Sequence, residues 1–247
     1  MMAGKREKPI INNNMASFRI VLVPVFMLAA MLVFTACRGI REAHVVIAGS
    51  TSVQPYIELL AEEFISIRPD IDVDVQGGGS SAGITAADTG TADIGMSSRA
   101  LKDSETGYWV IEIAKDGLAV IVNASNPVTD LSLEQVRAVY TNEITDWGEL
   151  GGADAKIHVI TREEGSGTRG AFEELVMDGS YITPRAIVQD SNGAVRQLVT
   201  GDPNAIGFIS LGLVNDAVKA INLDGVVASK KCSERQLQPF QAIFIHY

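Results

Sequence analysis

Apolar and polar positions follow two rhythms along this chain, and the rhythm switches at short intervals. An apolar run at residues 44–48 ends in Gly49-Ser50-Thr51-Ser52, which predicts a strand feeding a loop. Over 54–68, Ile57, Leu60, Ala61, Phe64 and Ile65 recur at helical spacing and Pro69 follows, so the spacing predicts a one-faced helix that stops there. Residues 71–75 alternate with period two, as a strand does, and run into Gly77-Gly78-Gly79-Ser80-Ser81-Ala82-Gly83. A helix is expected over 84–89, then a strand over 92–96 entering Ser97-Ser98-Arg99. The unbroken apolar stretch at 117–122 predicts a buried strand. A helix over 133–140, entered from Asp130 or Ser132, is followed by a turn that Trp147-Gly148 closes. Residues 156–161 predict a strand, leading through Arg162-Glu163-Glu164-Gly165-Ser166-Gly167-Thr168-Arg169 into a helix that reaches Met177, and 205–209 form the last clear strand.

Strands that alternate with helices imply an α/β fold with largely parallel sheets. No internal repeat, heptad or low-complexity segment interrupts the pattern. The polar loops share one position, the carboxyl end of a strand where a helix begins, and in open α/β sheets ligands bind at that edge.

Composition narrows the class. The 247 residues carry a formal net charge of −10 with only two cysteines, which excludes a disulfide-stapled or disordered chain and disfavours a nucleic-acid partner. The charge is uneven: residues 1–36 sum to +3, residues 230–247 to +2, and the stretch between them to −15. After Arg19 the uncharged apolar stretch 20–34 ends in Thr35-Ala36-Cys37, the order expected of a secretory signal peptide over residues 1–36. The alternative is a single transmembrane anchor. Cys37 directly after Thr35-Ala36 resembles a bacterial lipobox, although Phe34 stands where leucine is usual, and it implies lipid attachment at Cys37 with a linker over 37–43. Translation from Met15 rather than Met1 would still leave a complete signal. The expectation is an exported, lipid-anchored protein at the outer face of the cell membrane or in the periplasm.

The recurring chemistry is glycine beside serine or threonine at helix N-termini: Gly49-Ser50-Thr51-Ser52, Gly79-Ser80-Ser81, Ser97-Ser98 and Gly165-Ser166-Gly167-Thr168. Each loop taken singly is an ordinary cap or connector. Together, all after strands, they could turn unpaired backbone N–H groups and uncharged donors toward one small oxyanion. Arg162 supplies a forked, charged partner for tetrahedral oxygens. No glycine run is followed by Gly-Lys-Ser or Gly-Lys-Thr, which excludes a P-loop, and no loop has dinucleotide spacing. His44, His158 and His246 are scattered, so neither a metal site nor an acid–base group is expected of them. Ser166 lacks the frame of a nucleophile elbow. Glu62-Glu63 and Glu173-Glu174 read as solvated helix faces, and Tyr140, Trp109 and Trp147 as core or rim.

With these residues in view, the segments 48–55, 76–83, 92–99 and 162–169 closely resemble, in order, the motifs of bacterial phosphate-binding proteins, the substrate-binding lipoproteins of phosphate ABC transporters. The resemblance implies a type II periplasmic-binding-protein fold: two α/β domains, each a sheet flanked by helices, closing on phosphate in the cleft between them. It puts domain I at 44–121 and 205–229 and domain II at 122–204. Carried over by position, Ser50 and Thr51, Ser80, Ser98, Arg162, Ser166, Gly167 and Thr168 hold the anion, with Glu164 orienting Arg162. Some relatives place an aspartate where this chain has Ser98, and that carboxylate accepts the proton that hydrogen phosphate has and sulfate lacks. The resemblance further implies a monomeric, non-enzymatic receptor that hands phosphate to membrane permease subunits, without cofactor, metal or nucleic acid. The alternatives are a receptor for another oxyanion (sulfate, molybdate or tungstate), a surface phosphatase using Ser166 or Thr51, and a phosphate-sensing or adhesive surface protein. Residues 230–247 read neither as amphipathic helix nor as the family's sequence. A one-base shift of their possible codons permits a family-like segment, so a frameshifted tail is expected there.

Overall fold

The computed structural model describes residues 43–227 and the backbone of Leu237–Ile245. The expected signal peptide, Cys37 with the linker through 42, and residues 228–236 and 246–247 lie outside the described residues. The elements follow in the order β1 (Ala43–Gly49), α1 (Gln54–Ile67), β2 (Ile71–Gly77), α2 (Ser80–Asp88), β3 (Ile94–Ser97), β4 (Tyr108–Asn123), β5 (Asp130–Leu131) and α3 (Leu133–Thr141). After them come β6 (His158–Arg162), α4 (Gly167–Phe172) running into a π turn (Glu173–Met177), β7 (Ile187–Gln189), α5 (Asn192–Gly201), β8 (Ala205–Ser210), β9 (Val218–Ala220), β10 (Asn222–Leu223) and β11 (Leu237–Ile245).

One path of paired strands, β2-β1-β3-β11-β4-β8-β6-β7, runs through the molecule, with β9 also on β4. The strands β2, β1 and β3 are parallel, as are β8, β6 and β7, while β4 is antiparallel to both β11 and β8. The sheet is therefore mixed rather than largely parallel. β4 is the axis of the fold: its first half pairs with β11 and its second half with β8 and β9, so two lobes meet near Asp116 and Gly117.

Two expectations change here. The chain was expected to return to the first lobe at Ala205, but β8 pairs with β4 and β6, and β9 with the end of β4, which keeps residues 205–220 in the second lobe. The return is made by β11, which inserts between β3 and β4. The ending of the chain thus supplies a strand. Leu237, Phe240, Ile243, Phe244 and Ile245 make a run of high β propensity, and backbone pairing does not depend on likeness to any family. The register shifts between Phe240 and Gln241, beside Pro239, as expected where a proline cannot donate to the ladder.

Local signals explain the helix starts. Pro55 occupies the first turn of α1, Ser132 and Gln135 form a reciprocal capping box on α3, and Ser166 and Ser191 accept from Arg169 N–H and Ala194 N–H. Gly83 lets α2 lie on β1 at backbone distance, because a Cβ there would come within 2.6 Å of Ala48 O. In the second lobe Tyr140, Trp147, Phe172 and Phe208 anchor a continuous buried core. In the first lobe the buried cluster among the described residues is small, centred on Ile47, Val53 and Met96.

Candidate functional site

The four loops converge where the lobes face each other. In the first, Ser50 N–H donates to Met96 O (3.0 Å), seating the loop over the end of β3. Its hydroxyl accepts from Ser52 N–H (3.2 Å) and donates to Ser98 Oγ (2.9 Å). In the second loop Gly79 N–H donates to Gly49 O (3.0 Å), and Ser80 Oγ accepts from Ser98 N–H (3.1 Å). Ser50, Ser80 and Ser98 are all buried. Three hydroxyls from three strand ends are thus held together, those of Ser50 and Ser80 by backbone N–H groups and that of Ser98 by the Ser50 hydroxyl, an arrangement that sequence spacing alone does not reveal.

The second lobe closes the site with the loop after β6. Ser166 caps α4, accepting from Arg169 N–H at 3.2 Å. Gly167 lies so close to the first lobe that a Cβ would sit 2.4 Å from Ser80 Oγ and 2.5 Å from Ser98 Oγ. Only a glycine permits that approach. Ser81 N–H donates across the cleft to Gly165 O (3.1 Å), and Ser52 Oγ meets Thr168 Oγ1 at 2.8 Å.

Arg162 is the charged centre, with 1% of its surface exposed. Its Nε and Nη2 donate to the two oxygens of Glu163, both at 2.8 Å, and Nη2 also donates to Thr51 Oγ1 and Asp190 O, both at 3.2 Å. Nη1 is buried without a hydrogen-bond partner among the described residues. An unmade hydrogen bond on a buried group costs about 1–3 kcal/mol, and more when the group is charged. An oxyanion among these loops would remove that cost and also accept from the hydroxyls around it. The Glu163 carboxylate balances the guanidinium, so attraction for an anion rests on directed N–H and O–H donors rather than on net charge.

The structure brings together Ser50, Thr51, Ser80, Ser98, Arg162, Ser166, Gly167 and Thr168. It corrects one role. Glu164 is exposed, and the carboxylate that holds Arg162 belongs to Glu163, because the chain turns after β6 and sends residue 164 outward. Two buried side chains were missed. Neither Ser52, although it stands in the first loop, nor Asn192 is among the residues expected from sequence to form the site. Asn192 Nδ2 donates to Ser52 Oγ (2.8 Å) and Thr51 Oγ1 (3.4 Å), while its Oδ1 accepts from Ser210 N–H (3.1 Å). The missed signal was Ser191-Asn192-Gly193 at the start of α5, a fifth polar strand-to-helix turn. The short strand β7 before it escaped notice, so the turn did too. Among the described residues no group of three His, Cys, Asp or Glu side chains is placed to hold a metal ion.

Comparison with known proteins agrees with this arrangement. A family model described as a PBP superfamily domain matches residues 38–242. The phosphate-binding protein PstS of Bacillus subtilis is 31% identical over 232 residues, covering 85% of this chain and 77% of the relative. A phosphate ABC transporter substrate-binding protein from Clostridium perfringens, solved with bound phosphate, shares 45% identity with a TM-score of 0.78, covering 81% of this chain and 86% of that one. An ABC-type phosphate transport receptor from Vibrio cholerae shares 41% identity with a TM-score of 0.65 over the same shares of the two chains.

Proposed function

The chain belongs to the phosphate-binding proteins of bacterial ABC transporters, within the PBP superfamily, and we propose that its cleft captures inorganic phosphate between the two lobes for delivery to a membrane permease. The observation that carries the site assignment is the buried, unpartnered Nη1 of Arg162 beside a ring of hydroxyl and amide donors. In this reading phosphate oxygens accept from Arg162 Nη1, from the amides at the starts of α2 and α4, and from the hydroxyls of Thr51, Ser80, Ser98, Ser166 and Thr168. Lobe closure and binding are one event, since each lobe supplies half of the donors. The protein works as an exported receptor, lipid-anchored through Cys37 and monomeric, and it does no covalent chemistry on its ligand.

Arg162→Ala tests the site. Loss of a buried charged donor and exposure of the Glu163 charge to the anion are expected to weaken phosphate binding by roughly a thousandfold or more in calorimetric titration. An affinity unchanged from the wild type would remove the cleft from consideration.

A second reading is favoured by Ser98, a hydroxyl where some relatives place a carboxylate. With the Glu163 oxygens already engaged by Arg162, the cleft is rich in donors, and sulfate or another oxyanion would find the same partners. Titration with sulfate after phosphate separates the two ligands. A phosphatase reading would need Ser166 or Thr51 activated, but Ser166 Oγ caps Arg169 N–H and Thr51 Oγ1 accepts from Arg162 and Asn192. A phosphomonoesterase assay tests it directly.

A further inference from the structure

Hydroxyl groups are ambiguous, since each can donate or accept, and an anion site needs them to donate. In this cleft the ambiguity is removed from outside the ring of ligand donors. Ser210, at the end of β8, directs its backbone N–H to Asn192 Oδ1 at 3.1 Å. A backbone N–H can only donate, so the amide of Asn192 has one permitted orientation, with Nδ2 turned to the first loop. Nδ2 carries two protons and cannot accept. One goes to Ser52 Oγ at 2.8 Å and the other to Thr51 Oγ1 at 3.4 Å.

The consequences pass along the hydroxyls. Thr51 Oγ1 also receives Arg162 Nη2 at 3.2 Å, so both of its lone pairs are engaged and its own proton remains to be donated. Ser52 Oγ has accepted from Asn192, and Thr168 Oγ1 lies 2.8 Å away. Ser52 is buried, with 1% exposure, so a proton left pointing nowhere would be costly there. It is satisfied when Ser52 donates to Thr168, which leaves Thr168 its own proton for the ligand. The opposite direction would strand the Ser52 proton and turn a Thr168 lone pair toward the anion.

We propose that Asn192 is a positioning residue of the anion site: pinned by Ser210 N–H, its amide donates to Thr51 and, through Ser52, to Thr168, so that both hydroxyls present protons rather than lone pairs to the ligand. This rests on the phosphate-cleft reading above. It adds a role for two side chains that need not touch the ligand, and it draws on both lobes: Ser52 comes from the first, Asn192 and Thr168 from the second. The same contacts hold the lobes together, so the relay forms only when the cleft is closed and favours the closed state.

The test is calorimetric titration with inorganic phosphate of the wild type, Asn192→Ala, Ser52→Ala, Thr168→Val, the Ser52→Ala/Thr168→Val double variant and Arg162→Ala. Thermal denaturation without phosphate checks that each is folded. Asn192→Ala is expected to weaken binding roughly 10–100-fold, and Ser52→Ala by roughly tenfold. The relay predicts that adding Ser52→Ala to Thr168→Val costs less than twofold more, because Ser52 acts through Thr168; a merely structural role for Ser52 predicts that the losses multiply. Ser52→Ala removes a single oxygen and carries the test alone if Asn192→Ala fails to fold. Multiplying losses, or affinities of Ser52→Ala and Asn192→Ala within twofold of the wild type, would overturn the relay. If Arg162→Ala binds like the wild type, the cleft reading itself fails; if it alone loses binding, the cleft stands and the relay falls.

Discussion

Among the described residues, the two lobes contribute equally to the cleft and unequally to the buried core. In the second lobe Phe172 stacks on Phe208 with ring centroids 4.1 Å apart, and Tyr140 tilts against both at 4.5 and 5.8 Å. Trp147, Val120, Val122 and Ile206 extend that cluster, all fully buried. In the first lobe α1 turns Leu59, Leu60 and Ile67 outward at 64%, 59% and 68% exposure, and Trp109 on β4 is 62% exposed. The first lobe's loops are instead fixed by backbone contacts: Gly83 against Ala48, Ser50 N–H on Met96, Gly79 N–H on Gly49. Presenting three hydroxyls at strand ends takes well-placed amides and close backbones, not a large core. Among the described residues the second lobe holds most of the buried apolar side chains, and it is expected to carry most of the stability.

Phe172→Ala is the strongest way to break that contrast. The ring is wholly buried between Tyr140 and Phe208, so its loss is expected to cost about 3–5 kcal/mol in chemical denaturation. Hydrogen exchange on the wild type should show amides of β1 and α1 opening at lower free energy than those of β6 and β8. Equal protection in the two lobes, or a Phe172→Ala cost below about 1 kcal/mol, would dissolve the distinction.

The same contrast decided what was legible in the sequence. Three of the ligand loops were readable because they repeat one local grammar, a strand followed by glycine and a hydroxyl residue at a helix start. Ser97-Ser98 departs from the expectation, since β3 leads through a loop into β4 and no helix begins there. Seven of the predicted helices and strands up to β6 fall within a few residues of those observed, since apolar periodicity reports burial directly. The early half of β4 was not legible because Tyr108–Asp116 is largely exposed, and Glu112, Lys115 and Asp116 separate its short apolar run at 108–111 from the buried run at 117–122. β7 is three residues long at a sheet edge, too short for any period to register. β11 is not legible as a strand because Gln238, Pro239 and Gln241 break its apolar residues into short pieces. The carboxylate on Arg162 was placed one residue too far along, since a turn's direction is set by backbone geometry that spacing does not encode. The Ser191-Asn192-Gly193 turn could mark Asn192 as a loop residue, but not its pairing with Ser52, which lies 140 positions away in the chain.

Asp116 probes the junction between the lobes. It stands on β4 where the strand passes from one lobe to the other, and its Oδ1 accepts from Gly212 N–H at 3.4 Å. Burial raises its carboxyl pKa above the ordinary aspartate range, with the Ser210 hydroxyl and the backbone N–H groups of Gly212 and Gly117 only partly offsetting that. A carboxyl raised in the folded protein favours folding while protonated, and that contribution is lost as pH climbs through the folded pKa. Asp116→Asn is therefore expected to melt at a higher temperature than the wild type near neutral pH, with the difference shrinking as the solution is acidified into the carboxylate range. A difference that grows on acidification would mean the charge is stabilised at the junction.

The mildest prediction concerns the outward face of α1. Leu60 is more than half exposed and sits with Tyr56, Leu59 and Ile113 beside Asp116 and Gly212, around a groove of about 550 Å³. If the first lobe owes its shape to backbone contacts rather than to this face, Leu60→Gln removes apolar surface that is already largely in water. Its expected effect on unfolding free energy is within about 0.5 kcal/mol, and phosphate affinity should be unchanged because Leu60 supplies no donor to the cleft and the groove it lines includes none of the ligand residues. Binding of a hydrophobic dye to the folded protein should fall, since the exposed apolar patch is smaller. A loss above about 2 kcal/mol would instead show that Leu60 is covered in solution, and the first lobe would then possess a core as consequential as the second.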